Sequence, residues 1–444
     1  MERGTSGAGA TGECLVVRYA EIGLKGGNRR YFEERLQRNI RDALASTAPA
    51  RVGRAWGRLL VFPEGDPAPA LARLGEVFGV ASVSPAVGTE KDLAEMEAVA
   101  ERLVGAALAR RTAAEPVPFR VEAHRGDKRF PMNSVEVNRR LGASLLAKFP
   151  RLKVDLDHAT LTLGVDVRDE AAYLYVDRLE GPGGLPVGAS GRVLSLISGG
   201  IDSPVAAWLA MKRGCRVHFV TFHSYPFIGE ATKEKVKDVV RRLSRYQGPT
   251  LLLVAPFAAI QTEIRKGCPE PYRTVLYRRM MNRVAVRLAR RHRCLALVTG
   301  DSIGQVASQT LENLRCAEDA SDLPVLRPLL SYDKRETIAL AERIGTFGIS
   351  IRPAEDCCTL FQPDHPVIRG DPEVCRQVET EIDFERLVED AAASCEAVRL
   401  AEGKPDRVLA PGAIVPSPPT PDPENPASRA AAGSARPLAP EDLV

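Results

Sequence analysis

The chain has 444 residues, 44% hydrophobic and 27% charged, with a formal net charge of +4. This is a soluble, globular composition long enough for two to four domains, and its overall charge is too small to indicate nucleic acid by itself. No apolar run approaches the roughly 20 residues of a membrane helix, and nine scattered cysteines make neither a disulfide scaffold nor a zinc pattern.

The first residues, MERGTSGAGATGE, have no apolar signal core, so a short disordered lead over 1–13 and a cytoplasmic location are expected. A strand follows from Cys14 to Tyr19, then the glycine-rich loop EIGLKGGN. Asn28 is placed to cap a helix in which Phe32, Leu36, Ile40 and Leu44 recur every fourth residue. With a strand at Arg58–Phe62 and a helix from Pro67, this is a small α+β domain over 14–75. A second α+β unit is expected over 76–180, with helices near 93–110 and 133–149 and strands at 118–123, 161–167 and 171–176. Residues 101–154 hold twelve Lys or Arg against five Asp or Glu, centred on Arg125, Lys128, Arg129, Arg139 and Arg140. Such a cluster is either a solvated helix face or a phosphate-backbone footprint.

GPGGLPVGASG, residues 181–191, has the composition of a linker. Beyond it, apolar strands at 193–197, 217–222, 250–254 and 295–299 alternate with long helices, the pattern of a parallel sheet covered on both faces. That domain is expected to end near 395. A disordered tail over 396–444 follows, since residues 411–444 hold nine prolines and no aromatic residue occurs beyond Phe384.

The strongest motif is Ser198-Gly199-Gly200-Ile201-Asp202-Ser203, between an apolar strand and a helix with Pro204 near its start. A turn of this kind points free N–H groups and the positive end of the helix dipole at an anion. Gly199 and Gly200 permit positive φ and let phosphate oxygens approach; Ser198 and Ser203 add hydroxyls. Asp202, a carboxylate in a loop built for anions, implies Mg²⁺. The loop lacks the G-K-[ST] of a Walker loop and the G-x-G-x-x-G of a dinucleotide fold. It resembles that of the PP-loop ATP pyrophosphatases, which implies ATP cleavage between the α and β phosphates and adenylation of a substrate.

Three further segments narrow the resemblance: GDSIGQVASQTLEN over 300–313, Arg327-Pro328-Leu329, and Glu355-Asp356-Cys357-Cys358-Thr359. With RYAEIGLKGGNRRYFEE at the N-terminus they resemble the tRNA uridine 4-sulfurtransferases (ThiI-type proteins) over about residues 14–390. The resemblance implies a ferredoxin-like and a THUMP domain that bind tRNA, then a PP-loop α/β domain that makes 4-thiouridine at position 8. It implies ATP contacts at Leu196, Ile197, Thr221, Phe222, Arg278, Gly300 and Gln309 besides the loop. It also implies a persulfide on Cys357 or Cys358, between which the residues do not choose, and a cysteine desulfurase as donor. Oligomeric state stays open, a homodimer included, as does a role in thiamine thiazole synthesis. Two features depart from the family: Tyr19-Ala20-Glu21 stands where YGE is usual, and a proline-rich tail stands where some members carry a rhodanese domain. His365 and Cys375 read as structural. An amide-forming PP-loop synthetase and a non-catalytic THUMP RNA-binding protein are the competing readings. Truncation after Ala410 is expected to leave the melting temperature and tRNA thiolation unchanged, measured by calorimetry and nucleoside mass spectrometry.

Overall fold

A computed structural model describes residues 11–55, 57–111, 115–354, 361 and 363–410. Cys357 and Cys358 lie outside these residues, as does the tail beyond 410. The chain divides into two compact units between Pro186 and Val187, within the glycine-rich segment.

In the N-terminal unit the strands are β1 (Gly12–Arg18), β2 (Ala50–Ala55), β3 (Arg58–Pro63), β4 (Ser82–Thr89), β5 (Val117–Arg125), β6 (Leu152–Val154), β7 (Leu161–Val167), β8 (Ala172–Tyr175) and β9 (Leu179–Glu180). The helices are α1 (Arg29–Leu44), α2 (Pro67–Leu74), α3 (Leu93–Ala109) and α4 (Ser134–Lys148). One sheet runs β2-β3-β1-β4-β8-β7-β5-β6, with β9 beside β4. Its first half is a ferredoxin-like βαββαβ motif, and the expected boundary at 75 falls inside it because β4 pairs with β1 along seven residues. The lead ends sooner than expected, since Gly12 and Glu13 already pair with Gly88 and Val87.

Alternation of side chains gives this sheet two different faces. Leu15, Val17, Leu59 and Val61 pack with Leu36, Ile40 and Leu44 of α1. Phe119, Val121, Leu163 and Val165 pack with Met96 of α3 and Leu141 of α4. The intervening residues Arg18, Arg58, Arg120 and Thr162 belong to the opposite face. Helix α4 starts with a complete capping box, Asn133 with Glu136. Asn28, by contrast, precedes α1 in a helical conformation and makes no side-chain cap bond, so the expected cap is not formed.

In the C-terminal unit the strands are β10 (Arg192–Leu196), β11 (Arg216–His223), β12 (Thr250–Pro256), β13 (Leu297–Val298), β14 (Val325–Leu326), β15 (Glu396–Leu400) and β16 (Arg407–Val408). Helices are α5 (Asp202–Lys212), α6 (Glu230–Gln247), α7 (Ala258–Gly267), α8 (Arg273–Arg291), α9 (Leu311–Glu318), α10 (Lys334–Ile344), α11 (Phe347–Ser350), α12 (Pro372–Glu379) and α13 (Phe384–Ala393). The sheet order is β14-β13-β10-β11-β12-β15-β16. Strands β14 to β12 are mutually parallel, as their β-α-β connections require. The tail expected from 396 is corrected here: Glu396–Leu400 adds an antiparallel edge to β12, burying Val398 and Leu400 completely. Those apolar residues outweigh the polar, proline-containing stretch around them.

Helix α8 spans the unit's main core. Its Arg279 is fully buried, gripped bidentately by Glu379 at 2.5 and 2.9 Å and bonded to Asp319 at 3.0 Å and to the Cys316 carbonyl at 2.6 Å. Removing one partner of such a pair leaves a desolvated charge. Glu379→Ala is therefore expected to cost about 3–5 kcal/mol in urea unfolding, and much less in a background where Arg279 is Met.

Candidate active site

Strand β10 has neighbours on both sides, β11 and β13, whose connections leave in opposite directions. In open α/β sheets ligands settle at the carboxyl ends of strands where this happens. A cavity of about 410 Å³ opens there. Its wall includes Leu196, Ile197, Ser198, Gly199, Gly200, Asp202, Ser203, Thr221, Phe222, Arg278, Gly300 and Gln309, so every expected nucleotide contact is brought to one place.

The loop is tied by its serines. The Ser198 N–H donates to Ser203 Oγ at 2.9 Å, the two hydroxyls lie 3.1 Å apart, and the Gly200 N–H donates to Ser198 Oγ at 3.3 Å. Helix α5 begins at Asp202 with no side-chain cap, which leaves its first-turn N–H groups for a ligand. The part expected of the glycines is corrected. Neither Gly199 nor Gly200 is among the positive-φ residues. A Cβ at Gly199 would press on the flexible Lys235 side chain at 3.2 Å, and one at Gly200 would make an ordinary contact with Ser198 Oγ at 3.4 Å.

Gly300, expected as an ATP contact, is also required by packing. A Cβ there would lie 2.7 Å from Ser203 N and 2.9 Å from Asp202 C, closer than non-bonded atoms approach. The end of β13 rests on the first turn of α5 only because this side chain is a hydrogen.

Two carboxylates in the site are paired differently. Asp202 accepts from Lys334 Nζ at 2.7 and 3.0 Å and from Gln305 Nε2 at 3.1 Å while staying partly exposed. Asp301 is buried and accepts from Arg278 and, at 2.7 Å, from the Thr299 hydroxyl, with Arg327 3.5 Å away. Burial by itself would raise the Asp301 carboxyl; Arg278, Thr299 and Arg327 together hold it below the ordinary aspartate value. Arg278 is thus fixed on the wall, also donating to the Ser308 carbonyl at 2.9 Å, and is not a surface arginine of a basic helix.

Lys334 and Lys235 are functional candidates that the sequence does not single out, and Asp301, Gln305 and Arg327 stand in its motifs without an assigned role. Gln305 and Asp301 lie within the GDSIGQ segment, but nothing local connects Lys334 at the start of α10 to Asp202, 132 residues earlier. Ala354 lines the cavity too, and the sequence carries Cys357 three residues further on, outside the described residues. The seven described cysteines are all pushed up by burial, Cys14, Cys294, Cys375 and Cys395 to about 12 and Cys268 to about 11. They are thiols at neutral pH and poor nucleophiles.

In the N-terminal unit, Arg125 ends β5 and donates to the Phe130 carbonyl at 3.3 Å. Lys128 and Arg129 follow in the loop, Arg139 and Arg140 on α4. Arg129 is engaged by Asp127 and Asp169, and Arg140 by Glu97 at 2.7 Å. Lys128 and Arg139 are exposed with no salt bridge among the described residues. The expected basic surface is therefore partly neutralised by its own neighbours.

No helix among the described residues is long and apolar enough to cross a membrane. Three family models match in order: the ThiI ferredoxin-like domain over 14–84, the THUMP domain over 90–177, and the thiamine biosynthesis protein ThiI over 188–384. A protein of Moorella thermoacetica named Probable tRNA sulfurtransferase is 48% identical over 355 residues, 80% of this chain and 89% of its own. One of the same name from Brevibacillus brevis is 42% identical, over 86% of this chain and 95% of its own. The crystal structure of a 4-thiouridine synthetase in complex with RNA and bound ATP superposes with a TM-score of 0.79 at 38% identity, covering 88% of this chain and all of that one. With its ferredoxin-like and THUMP domains followed by an α/β PP-loop domain, this chain belongs to the ThiI family of tRNA sulfurtransferases.

Proposed function

We propose that this enzyme adenylates a uridine of tRNA with ATP and replaces its O4 with sulfur, giving 4-thiouridine at position 8. The observation that carries the reading is the cavity at the ends of β10, β11 and β13, where a serine-tied loop, an uncapped helix start and Arg278 converge. The relative solved with ATP and RNA supports it. A cytoplasmic location follows from the two substrates.

The first-turn N–H groups of α5 and the Ser198 and Ser203 hydroxyls hold the phosphates. Leu196, Ile197, Thr221 and Phe222 frame the adenine at the strand ends. Asp202 fits Mg²⁺ as the single carboxylate offered, because Mg²⁺ bound to phosphates takes only one or two from the protein; Asp301 is committed to Arg278. When bound, Mg²⁺ supplies charge neutralisation at the phosphates. Uridine O4 attacks the α-phosphorus and pyrophosphate leaves. The outer sulfur of a persulfide on Cys357 or Cys358, loaded by a cysteine desulfurase, then attacks C4, and AMP departs with the oxygen. A second thiolate attacks the inner sulfur, freeing the thiocarbonyl and leaving a disulfide for an external thiol to reduce. The raised values of the described cysteines favour a resolving thiol that is not one of them. A homodimer is compatible with this scheme and not needed by it, and sulfur supply for thiamine synthesis would draw on the same persulfide.

Asp202→Ala is expected to abolish tRNA-dependent pyrophosphate release while the circular dichroism spectrum stays native. Replacing both Cys357 and Cys358 by Ser should leave pyrophosphate release measurable and eliminate 4-thiouridine by mass spectrometry. Normal thiolation in the double variant with the physiological donor would overturn the persulfide step. Pyrophosphate release that ignores tRNA would favour an amide-forming synthetase. Gly300→Ala should weaken ATP binding at least tenfold in calorimetric titration, since either β13 or the first turn of α5 must shift.

A further inference from the structure

The helix-free face of the N-terminal sheet holds a second cavity, of about 370 Å³. Its lining comes from alternate residues of five strands or their ends: Arg18 of β1, Arg58 of β3, Arg120 of β5, Thr162 of β7 and Tyr175 of β8, with Arg178 following. Four guanidiniums line this wall with one carboxylate, Glu122, 3.7 Å from Arg120, while Arg178 pairs with Glu180 at 2.9 Å beside it.

Beneath the wall lies one more carboxylate, Asp166, with no solvent exposure. Arg58 reaches it at 3.2 Å and Arg168 at 3.0 Å. Arg18 is 92% buried, because its relative exposure is 8%. Its Nη1 donates to Ser84 Oγ at 3.0 Å, but Nη2 stops 3.9 Å from Asp166 and finds no hydrogen-bond acceptor among the described residues. One carboxylate cannot neutralise both Arg18 and Arg58, so the floor is electropositive in a setting that water screens poorly. The arrangement is also built. Arg18 stacks on the Tyr175 ring at 4.2 Å, and Gly164 makes room for that ring, since a Cβ there would lie 2.1 Å from it. Arg120 is held by Thr162 Oγ1 at 3.2 Å and the Leu156 carbonyl at 3.0 Å.

Of these arginines only Arg120 falls within the basic segment 101–154, outside its centre at Arg125, Lys128, Arg129, Arg139 and Arg140, and none is in the ATP cavity. We propose that this face is a phosphate-binding site, recognising a phosphate group by fixed guanidiniums. Given the tRNA-binding reading above, on which this source rests, the phosphate is a phosphodiester of the RNA strand; free phosphate is the other source.

The test uses the full chain, with neither ATP nor a sulfur donor, so that it is independent of catalysis. Arg120→Gln combined with Arg178→Gln removes two exposed charges and leaves the buried Asp166 cluster intact; Arg30→Gln with Arg38→Gln on α1 is the charge-matched control. In tRNA binding by anisotropy across a salt series, the cavity pair should lose roughly tenfold in affinity and its salt slope should fall by nearly two, one contact per charge. Arg120→Lys with Arg178→Lys should keep the slope, and the control should stay near wild type. If the Gln pair binds tRNA normally, but millimolar phosphate at matched ionic strength raises the melting temperature of the wild type and not of that pair, the site stands with free phosphate as its ligand. If the whole chain fails to bind tRNA, the RNA reading falls and the phosphate arm alone decides the site. Unchanged tRNA affinity together with no phosphate-dependent difference in melting temperature overturns the proposal.

Discussion

A hydrogen atom at Gly300, where other residues carry a carbon, sets the geometry of the C-terminal unit's site. It allows the end of β13 to lie against the backbone of Asp202 and Ser203. The loop from β10 into α5 is then held from two sides, by this contact and by the hydroxyl bonds between Ser198 and Ser203. Because Asp301 follows Gly300 directly, the same contact fixes the carboxylate that positions Arg278. The free N–H groups at the start of α5 and the cation on the cavity wall therefore share one origin. Pre-set donors of this kind stabilise charge without reorganising when it develops.

Charge within the site is arranged in pairs that differ in burial. Asp301, with Arg278 and Arg327, is a largely buried carboxylate and works as framework. Asp202 with Lys334 and Gln305 is open, and long flexible side chains hold it. An exposed pair is weak and exchangeable, a buried one costly to break. The site thus keeps its exchangeable carboxylate where phosphates are expected and its fixed carboxylate in the wall.

The phosphate loop was legible in the sequence because its chemistry is local: the serines, glycines and aspartate stand within six residues, between a strand and a helix. The core of α1 was legible for the same reason, through the spacing of Leu36, Ile40 and Leu44. What was not legible depends on distance along the chain. Lys334 meets Asp202 across 132 residues, and Gln305 meets it across 103. Gly300 came from the family resemblance, and its partner, the backbone of α5, carries no sequence signal. Strand β15 was missed because Glu396–Leu400 is short and lies in polar surroundings, and only the open edge of β12 makes it a strand. On α4 and its preceding loop the sequence counted charges, whereas the fold pairs Arg129 with Asp127 and Arg140 with Glu97.

Strand β5 carries two unrelated jobs on one backbone. Phe119, Val121 and Ala123 complete the hydrophobic core under α3 and α4, while Arg120, Glu122 and His124 face the arginine cavity. With a side-chain period of two, inserting or deleting one residue would exchange the sets, sending guanidinium into the core and phenylalanine into the cavity. Evolution can vary either face by substitution but has almost no freedom in the strand's length. Loop lengths around β5 should drift between relatives while its residue count does not, so gaps in this strand mark chains that have lost both the packing and the basic face together.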